Sequence, residues 1–279
     1  MEYIFKRMSA NEDAVKEIME LLHITFPDKC QKFSFEYLKW QYLENPNGKV
    51  VAYNAYTQDG KIAAHYATIP VVMLIDNQKV PGLLSLNTAT HPDHRGKRLF
   101  TDLAQLTYDY GKEQGRKFVI GVANANSTHG FLKYLGFYLI APLEVKVGLG
   151  SPYRQDSTEK KHHIYYDETT MRWRLRCPFY SYSLRKGVVY GDLDKPLFHT
   201  AVTMIPKQLA MHEFVSKNVF LLFTLYIGLG YRLKSSFFTL PKFIKRSPFN
   251  LIFKDMSDGS LPEMTPDNIA FQLIDYDVA

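Results

Sequence analysis

The segment from Leu83 to Tyr110 constrains this chain more than any other. A run of apolar and small residues, Leu83 to Thr90, gives way to the basic, glycine-bearing turn His91-Pro92-Asp93-His94-Arg95-Gly96-Lys97-Arg98. Leu99, Leu103, Leu106 and Tyr110 then recur at helical spacing. The order predicted is strand, basic turn, helix. A helix start leaves backbone N–H groups without intrahelical partners, and the helix dipole favours negative charge there. Arg95, Lys97 and Arg98 add cationic side chains at the same point. Such a device suits an anionic phosphate group.

Phe118-Val119-Ile120-Gly121-Val122 reads as a second buried strand, followed by Asn124-Ala125-Asn126-Ser127-Thr128, a run rich in helix N-cap residues. A short helix through Phe131, Leu132 and Leu135 should stop at Gly136. The two segments together resemble the GCN5-related N-acetyltransferase (GNAT) superfamily. The turn is similar to its acyl-CoA motif, Q/R-x-x-G-x-G/A, with Arg95 in the first position. Arg98 stands where the fourth position is normally glycine, and Phe100 where the sixth is normally glycine or alanine. The string Asn126 to Phe137 resembles the second motif, N-x-x-S with a helix ending in L-G-F.

This resemblance implies an α/β (α+β) fold with a mixed, mainly antiparallel central sheet flanked by helices. It implies acetyl-CoA as the acyl donor. The Thr88 backbone would then orient the acyl carbonyl, and Thr90 would pair with pantetheine. Arg95 and the amides of Gly96, Lys97, Arg98, Leu99, Phe100 and Thr101 would hold the pyrophosphate, and Asn126 would reach the pantetheine arm. The tyrosine that usually protonates the thiolate is replaced by Leu132. Tyr134 lies about 160° round the helix from it, at ~100° per residue, and packing is the reading favoured for Phe131 and Tyr134. His65 is the candidate base, having a titratable ring suited to that role, although a hydrogen-bonded structural histidine on a strand is the reading favoured over catalysis; His91 is expected to shape the turn.

Around these motifs, Ser9-Ala10-Asn11-Glu12 has capping-box spacing ahead of Val15, Ile18, Met19 and Leu22. Val50–Tyr56, Lys61–Ala67 and Val71–Ile75 have strand composition, with turns at Asp59-Gly60 and Asp76-Asn77. The GNAT-like unit should occupy residues 1–148, the hydrophilic stretch 149–161 a linker, and residues 162–279 a degenerate GNAT-like second half. The second half shows faint internal similarity. Trp173 lies before Pro178 as Trp40 lies before Pro46, and Leu229-Gly230-Tyr231 is similar to Leu135-Gly136-Phe137. Between Met204 and Val219, where a counterpart of the phosphate turn would lie, there is no R-G-K element.

Two cysteines, Cys30 and Cys177, argue against a disulfide framework or zinc site, and no metal is expected. Residues Met1 to Arg7 lack a signal-peptide pattern, and Val219–Tyr231 is too short for a transmembrane helix of about 20 residues, so a cytoplasmic location is expected. A net charge of +6 fits nucleic acid, membrane or anionic metabolites equally; nucleic acid is not an expected partner. The leading expectation is an N-acyltransferase acting on a small-molecule amine, such as an amino sugar of surface polysaccharide. Alternatives are an aminoacyl or peptide acceptor, a non-catalytic acyl-CoA sensor or scaffold, and a peripheral membrane protein using Val219–Tyr231 and the cations after it. Asp275 and Asp277 are further candidates for binding a cationic amine, with simple solvation as the plainer reading. Oligomeric state is open.

Overall fold

Local chemistry accounts for most of the first half. The structure, a computed structural model, describes residues 2–154, 160–192, 197–205, 209, 222–240 and 247–276. Strand β1 (Ile4–Arg7) leads into α1 (Glu12–Thr25), capped by Asn11 rather than Ser9 because the Asn11 carboxamide reaches the Ala14 amide. Helix α2 (Phe35–Leu43) is capped by Ser34 and buries Tyr37, Leu38, Trp40, Gln41 and Tyr42. An antiparallel meander follows: β2 (Val51–Tyr56), β3 (Ile62–Ile75) and β4 (Gln78–Thr90). Asp76 and Asn77 have φ of 46° and 63°, as a primed hairpin turn requires.

Strand β3 runs unbroken through Pro70, where the sequence reads as two strands. Its pairing with β2 ends at Thr68, and its pairing with the later strand at His162–Ile164 begins at Met73. Pro70 therefore sits where one side of β3 is locally an edge, the place a sheet tolerates a missing N–H. Helix α3 (Leu99–Glu113) returns the chain to β5 (Phe118–Ala123), which lies parallel to β4. Helix α4 (Ala125–Tyr134) leads to β6 (Tyr138–Pro142).

The second half begins with β7 (Glu144–Leu149), β8 (His162–Ile164) and α5 (Glu168–Leu175). It continues through β9 (Tyr182–Arg185), β10 (Val188–Asp192), β11 (Phe198–Met204), β12 (Phe223–Leu229) and β13 (Phe238–Thr239). Strands β14 (Asn250–Asp255) and β15 (Phe271–Gln272) close it. Most of the apolar run beginning at Val219 is thus strand β12; residues 219–221 lie outside the described residues. No helix among the described residues is long and apolar enough to cross a membrane.

The first sheet has the order β1-β2-β3-β4-β5-β14-β6, with β8 beside β3; the second runs β13-β7-β12-β11-β10-β9, with β15 beside β12. The strand between β5 and β6 therefore comes from the far end of the chain. It pairs antiparallel with both, from Asn250↔Ala123 to Asp255↔Phe118 on one side and from Asn250↔Pro142 to Phe253↔Tyr138 on the other. Strand β7 makes the reverse crossing and pairs with β12 and β13. The two sheets share one pattern. In each, a run of antiparallel pairings, three in the first sheet and two in the second, is followed by a parallel one (β4 with β5, β11 with β12), and an exchanged strand comes next.

Residue boundaries at 148 and 162 consequently do not follow the sheets, since β7 and β14 lie across them. The largest hydrophobic cluster also spans both sheets, joining Trp40, Leu84 and Phe253 to Trp173, Ile227 and Phe271. Within the expected linker, Tyr153 is buried and donates to Gln272 Oε1 at 3.2 Å, while residues 155–159 lie outside the described residues. Trp40 and Trp173 stack at 4.8 Å, and each indole N–H donates to the other's carbonyl, at 2.9 and 3.1 Å. That contact is self-complementary in the manner of a two-fold interface. The Leu-Gly pairs are not equivalent: Gly136 follows a helix and Gly230 follows a strand.

A fragment of residues 1–148 should fail to fold cooperatively, because it leaves β5 and β6 with open edges in mid-sheet. Far-UV circular dichroism and urea titration check this; a sharp transition like that of the full chain would disprove it.

Candidate active site

The end of β4 and the start of α3 build the site. Strands β4 and β5 pair only over Leu83↔Val119, Leu84↔Ile120 and Ser85↔Gly121. A Cβ on Gly121 would lie 3.2 Å from Ser85 Cβ, so this is the last close approach of the two strands. Beyond it β4 runs to Thr90 without β5, and a cleft opens. A bulge helps turn β4 aside: Asn87 and Thr88 together oppose Tyr66, and Asn87 has φ 45°. Thr88 lies in that bulge, and Thr90 ends the strand opposite Ala64.

His91 N–H holds the chain to Ala63, and a short 3₁₀ turn, Pro92–His94, carries it to Arg95. Gly96 has φ 75°, and nothing lies within 4 Å of where its Cβ would be. It serves backbone conformation there, not a tight space. Arg98 caps α3 with φ 59° and ψ 8°, in the left-handed region that glycine would occupy freely. The amides of Gly96, Lys97, Arg98, Leu99 and Phe100 donate to no acceptor among the described residues. Thr101 differs, since its N–H and hydroxyl both donate to the Arg98 carbonyl, at 3.0 and 2.8 Å. Arg95, Lys97 and Arg98 are exposed. Open amides and exposed cations thus share one short turn beside the cleft, with Lys97 Nζ donating to the Asp93 carbonyl at 3.4 Å.

Leu99 and Phe100 can offer only their amides to an anion. Leu99 is core, and the Phe100 ring packs at 5.1 Å on Phe131 and 5.9 Å on Tyr66. A Cβ on Gly130 would come within 2.8 Å of that ring, so Gly130 makes the notch that locks α3 against α4. The cap of α4 is Asn124, which accepts from the amides of Asn126 and Ser127 at 3.0 Å each. Asn126 is exposed on the first turn. Phe131 is buried as packing, whereas Tyr134 is 57% exposed and packs little. Leu132 is half-buried in the same cluster as Phe131.

His65 does not reach the cleft. It has no exposed surface, and burial pulls its pKa down to about 3. Its Nδ1–H donates to Asn54 Oδ1 at 2.7 Å, and its Nε2 accepts from the Tyr42 hydroxyl at 3.0 Å. A ring so enclosed, with both nitrogens partnered, is out of reach of a substrate, which removes His65 as the candidate base and agrees with the structural reading favoured over it. Asp275 is not solvated either. Burial pushes it up to about 7 even though it accepts from Tyr166 and the Gln272 amide. Asp277 and the cations at 242, 245 and 246 lie outside the described residues. His162, buried on β8, accepts from the Asp76 amide, and no metal cluster forms among the described residues. A separate crevice lined by Arg7, Lys49, Tyr110 and Arg116 lies by the other end of α3 and has no part in this geometry.

Residues 7–140, just under half of the chain, match the family model of the acetyltransferase (GNAT) domain. Among solved structures, a conserved Enterococcus faecalis protein of unknown function, a candidate N-acyltransferase, is similar at TM-score 0.63 and 8% identity, over 92% of this chain and 73% of that one. Eis1 from Mycobacterium abscessus is similar at TM-score 0.59 and 10% identity, over 92% and 74%. A GCN5-related N-acetyltransferase from Anabaena variabilis gives 0.57 and 12%, over 90% and 73%. At these identities the likeness is one of fold, and it extends over both sheets. No curated protein sequence matches the chain.

His65 makes stability depend on pH in a defined direction. Folding lowers its pKa from 6.5 to about 3, so in that window the unfolded chain binds more protons. Stability therefore falls as pH drops from 6.5 towards 3, by up to ~1.4 kcal/mol per pH unit from this group. Asp275 acts oppositely, its pKa being raised from 3.8 to about 7. The difference between wild type and His65→Gln in urea unfolding isolates the histidine. It should increase with pH through the window and level off above it; a pH-independent difference would be inconsistent with the sealed ring.

Proposed function

We propose that this chain is an acyl-CoA-dependent N-acyltransferase whose donor is acetyl-CoA and whose acceptor is a small-molecule primary amine. The observation that carries the reading is the run of open amides from Gly96 to Phe100 beside the parted strands β4 and β5. Oriented N–H groups at a helix start suit a pyrophosphate, and Arg95, Lys97 and Arg98 supply charge-assisted partners. On the free edge of β4 the Thr88 backbone would orient the acyl carbonyl and Thr90 would pair with the pantetheine arm, which Asn126 would reach from α4. In the reaction the amine nitrogen attacks the thioester carbon, the C–N bond forms, and the C–S bond breaks. The sulfur leaves as a thiolate that takes up a proton, while the amine gives one up.

An amino sugar of surface polysaccharide is the acceptor class implied by the resemblance of Trp40, Asn45-Pro46, His65 and the turn His91 to Lys97 to superfamily members of surface-polysaccharide loci, with an aminoacyl or peptide amine as the nearest alternative. The matching strand order of the two sheets, their exchanged strands and the reciprocal Trp40–Trp173 contact support a duplicated origin for the second half. That half would form a wall of the acceptor groove. A cytoplasmic setting fits this chemistry. A second reading, a non-catalytic acyl-CoA sensor, is favoured by Leu132 in the usual acid position and by the enclosure of His65.

Calorimetric titration with acetyl-CoA, followed by thiol release over a panel of amines, separates these readings. Binding with turnover supports the enzyme, binding without turnover the sensor, and no binding sinks both. Arg98→Gly should keep or improve CoA affinity, because it removes left-handed strain worth ~1–2 kcal/mol for an L-residue. Gly96→Trp should abolish binding. A large loss in Arg98→Gly would instead make the arginine a phosphate ligand.

A further inference from the structure

Asn87 sits at the bulge that turns β4 away from β5, and its side chain ends a chain of hydrogen bonds that begins at Glu17. Tyr56 donates its one hydroxyl proton to Glu17 Oε2 at 2.8 Å, because a carboxylate only accepts. The Tyr56 oxygen must then accept from Asn54 Nδ2, at 3.1 Å. This orients the Asn54 amide and leaves its Oδ1 towards His65, fixing the proton on Nδ1. Nε2 must accept, so Tyr42 donates to it, and the Tyr42 oxygen in turn accepts from Asn87 Nδ2 at 3.1 Å. Gln41 Oε1 also accepts from Asn87 Nδ2, at 2.5 Å.

Every assignment along this chain follows from the one before it. Both Asn87 amide protons are committed to α2, and the amide cannot flip without placing oxygen against oxygen. The consequence is a fixed acceptor. Asn87 Oδ1 makes no hydrogen bond among the described residues, in a half-buried residue just past the last β4–β5 pair. Asn87 is also held at φ 45°, a conformation asparagine tolerates better than most residues.

We infer that Asn87 Oδ1 is a positioning acceptor for an N–H group of the ligand in the cleft, and that this group is the acceptor amine. The inference rests on the acyltransferase reading. The thioester carbonyl is itself an acceptor and cannot be what Oδ1 holds. The pantetheine amide offers the same N–H chemistry, so the test must tell the two sources apart. An oxygen accepting from the amine would hold its lone pair towards the thioester carbon while leaving the nitrogen uncharged.

The test uses Asn87→Gly, which suits the positive φ and removes the carboxamide, and Tyr42→Phe, which keeps Oδ1 but loosens it. CoA affinity is measured by calorimetry, and KM and kcat with acetyl-CoA for a panel including glucosamine, lysine and hydroxylamine. Asn87→Gly should bind CoA within about twofold of wild type and raise the amine KM about tenfold, the scale of one hydrogen bond. Tyr42→Phe should shift the amine KM the same way by less. A tenfold loss of CoA affinity at unchanged amine KM overturns the amine assignment in favour of the pantetheine amide. No change in either quantity overturns the positioning role altogether. Wild-type turnover with unchanged amine KM in Asn87→Gly overturns the inference alone; wild-type protein that acylates no amine, whether or not it binds CoA, overturns the acyltransferase reading on which the inference rests.

Discussion

The pairing of β14 with both β5 and β6 is the interaction on which the rest of this structure depends. Backbone N–H and C=O groups in the middle of a sheet must be paired, since leaving them buried and unmatched costs about as much as losing the bonds outright. The first sheet therefore cannot be completed until the last strand of the chain arrives. The same holds in the other direction for β7 between β12 and β13. Two sheets that each lend the other a strand are obliged to fold together, and the shared core through Trp40 and Trp173 fits that obligation.

This construction bears directly on the cleft. Strand β5 is held on its far side by β14, so it cannot lean back towards β4 beyond Ser85↔Gly121. Strand β4 is turned the other way by its bulge, with Asn87 tied to α2 through Gln41 and Tyr42. Phe100, seated in the notch at Gly130, fixes α3 against α4 so that the helix start faces the opening. The amides at Gly96 to Phe100, left open by the turn and the helix start, are placed beside the cleft by these three restraints.

Charge and burial are divided in a consistent way. The cations of the turn stay in water, where their solvation is kept and an anion can be met. The buried polar groups behind β4 are paired into a single chain running to a carboxylate, which offsets the cost of enclosing them. His65 belongs to the second group. Its ring is a neutral connector between Tyr42 and Asn54.

What could be read from the residues alone was local. The strand, turn and helix of Leu83 to Tyr110, the asparagine-rich cap of α4 and the Asp76-Asn77 turn are legible because their signals span a few neighbouring residues. The superfamily motifs are of the same kind. Nothing in residues 250–255 announces a place between β5 and β6, since any apolar strand satisfies its own periodicity and the partner is chosen by the edges left open elsewhere. Pro70 within β3 and the enclosure of His65 are decided in the same way, by neighbours far along the chain. The sequence by itself determined the basic turn and the elements that flank it, because helix starts, caps and turns are matters of adjacent backbone. Only the tertiary structure decided how the two halves share strands, and which histidine and asparagine face solvent, because burial and strand pairing are properties of contacts between distant residues.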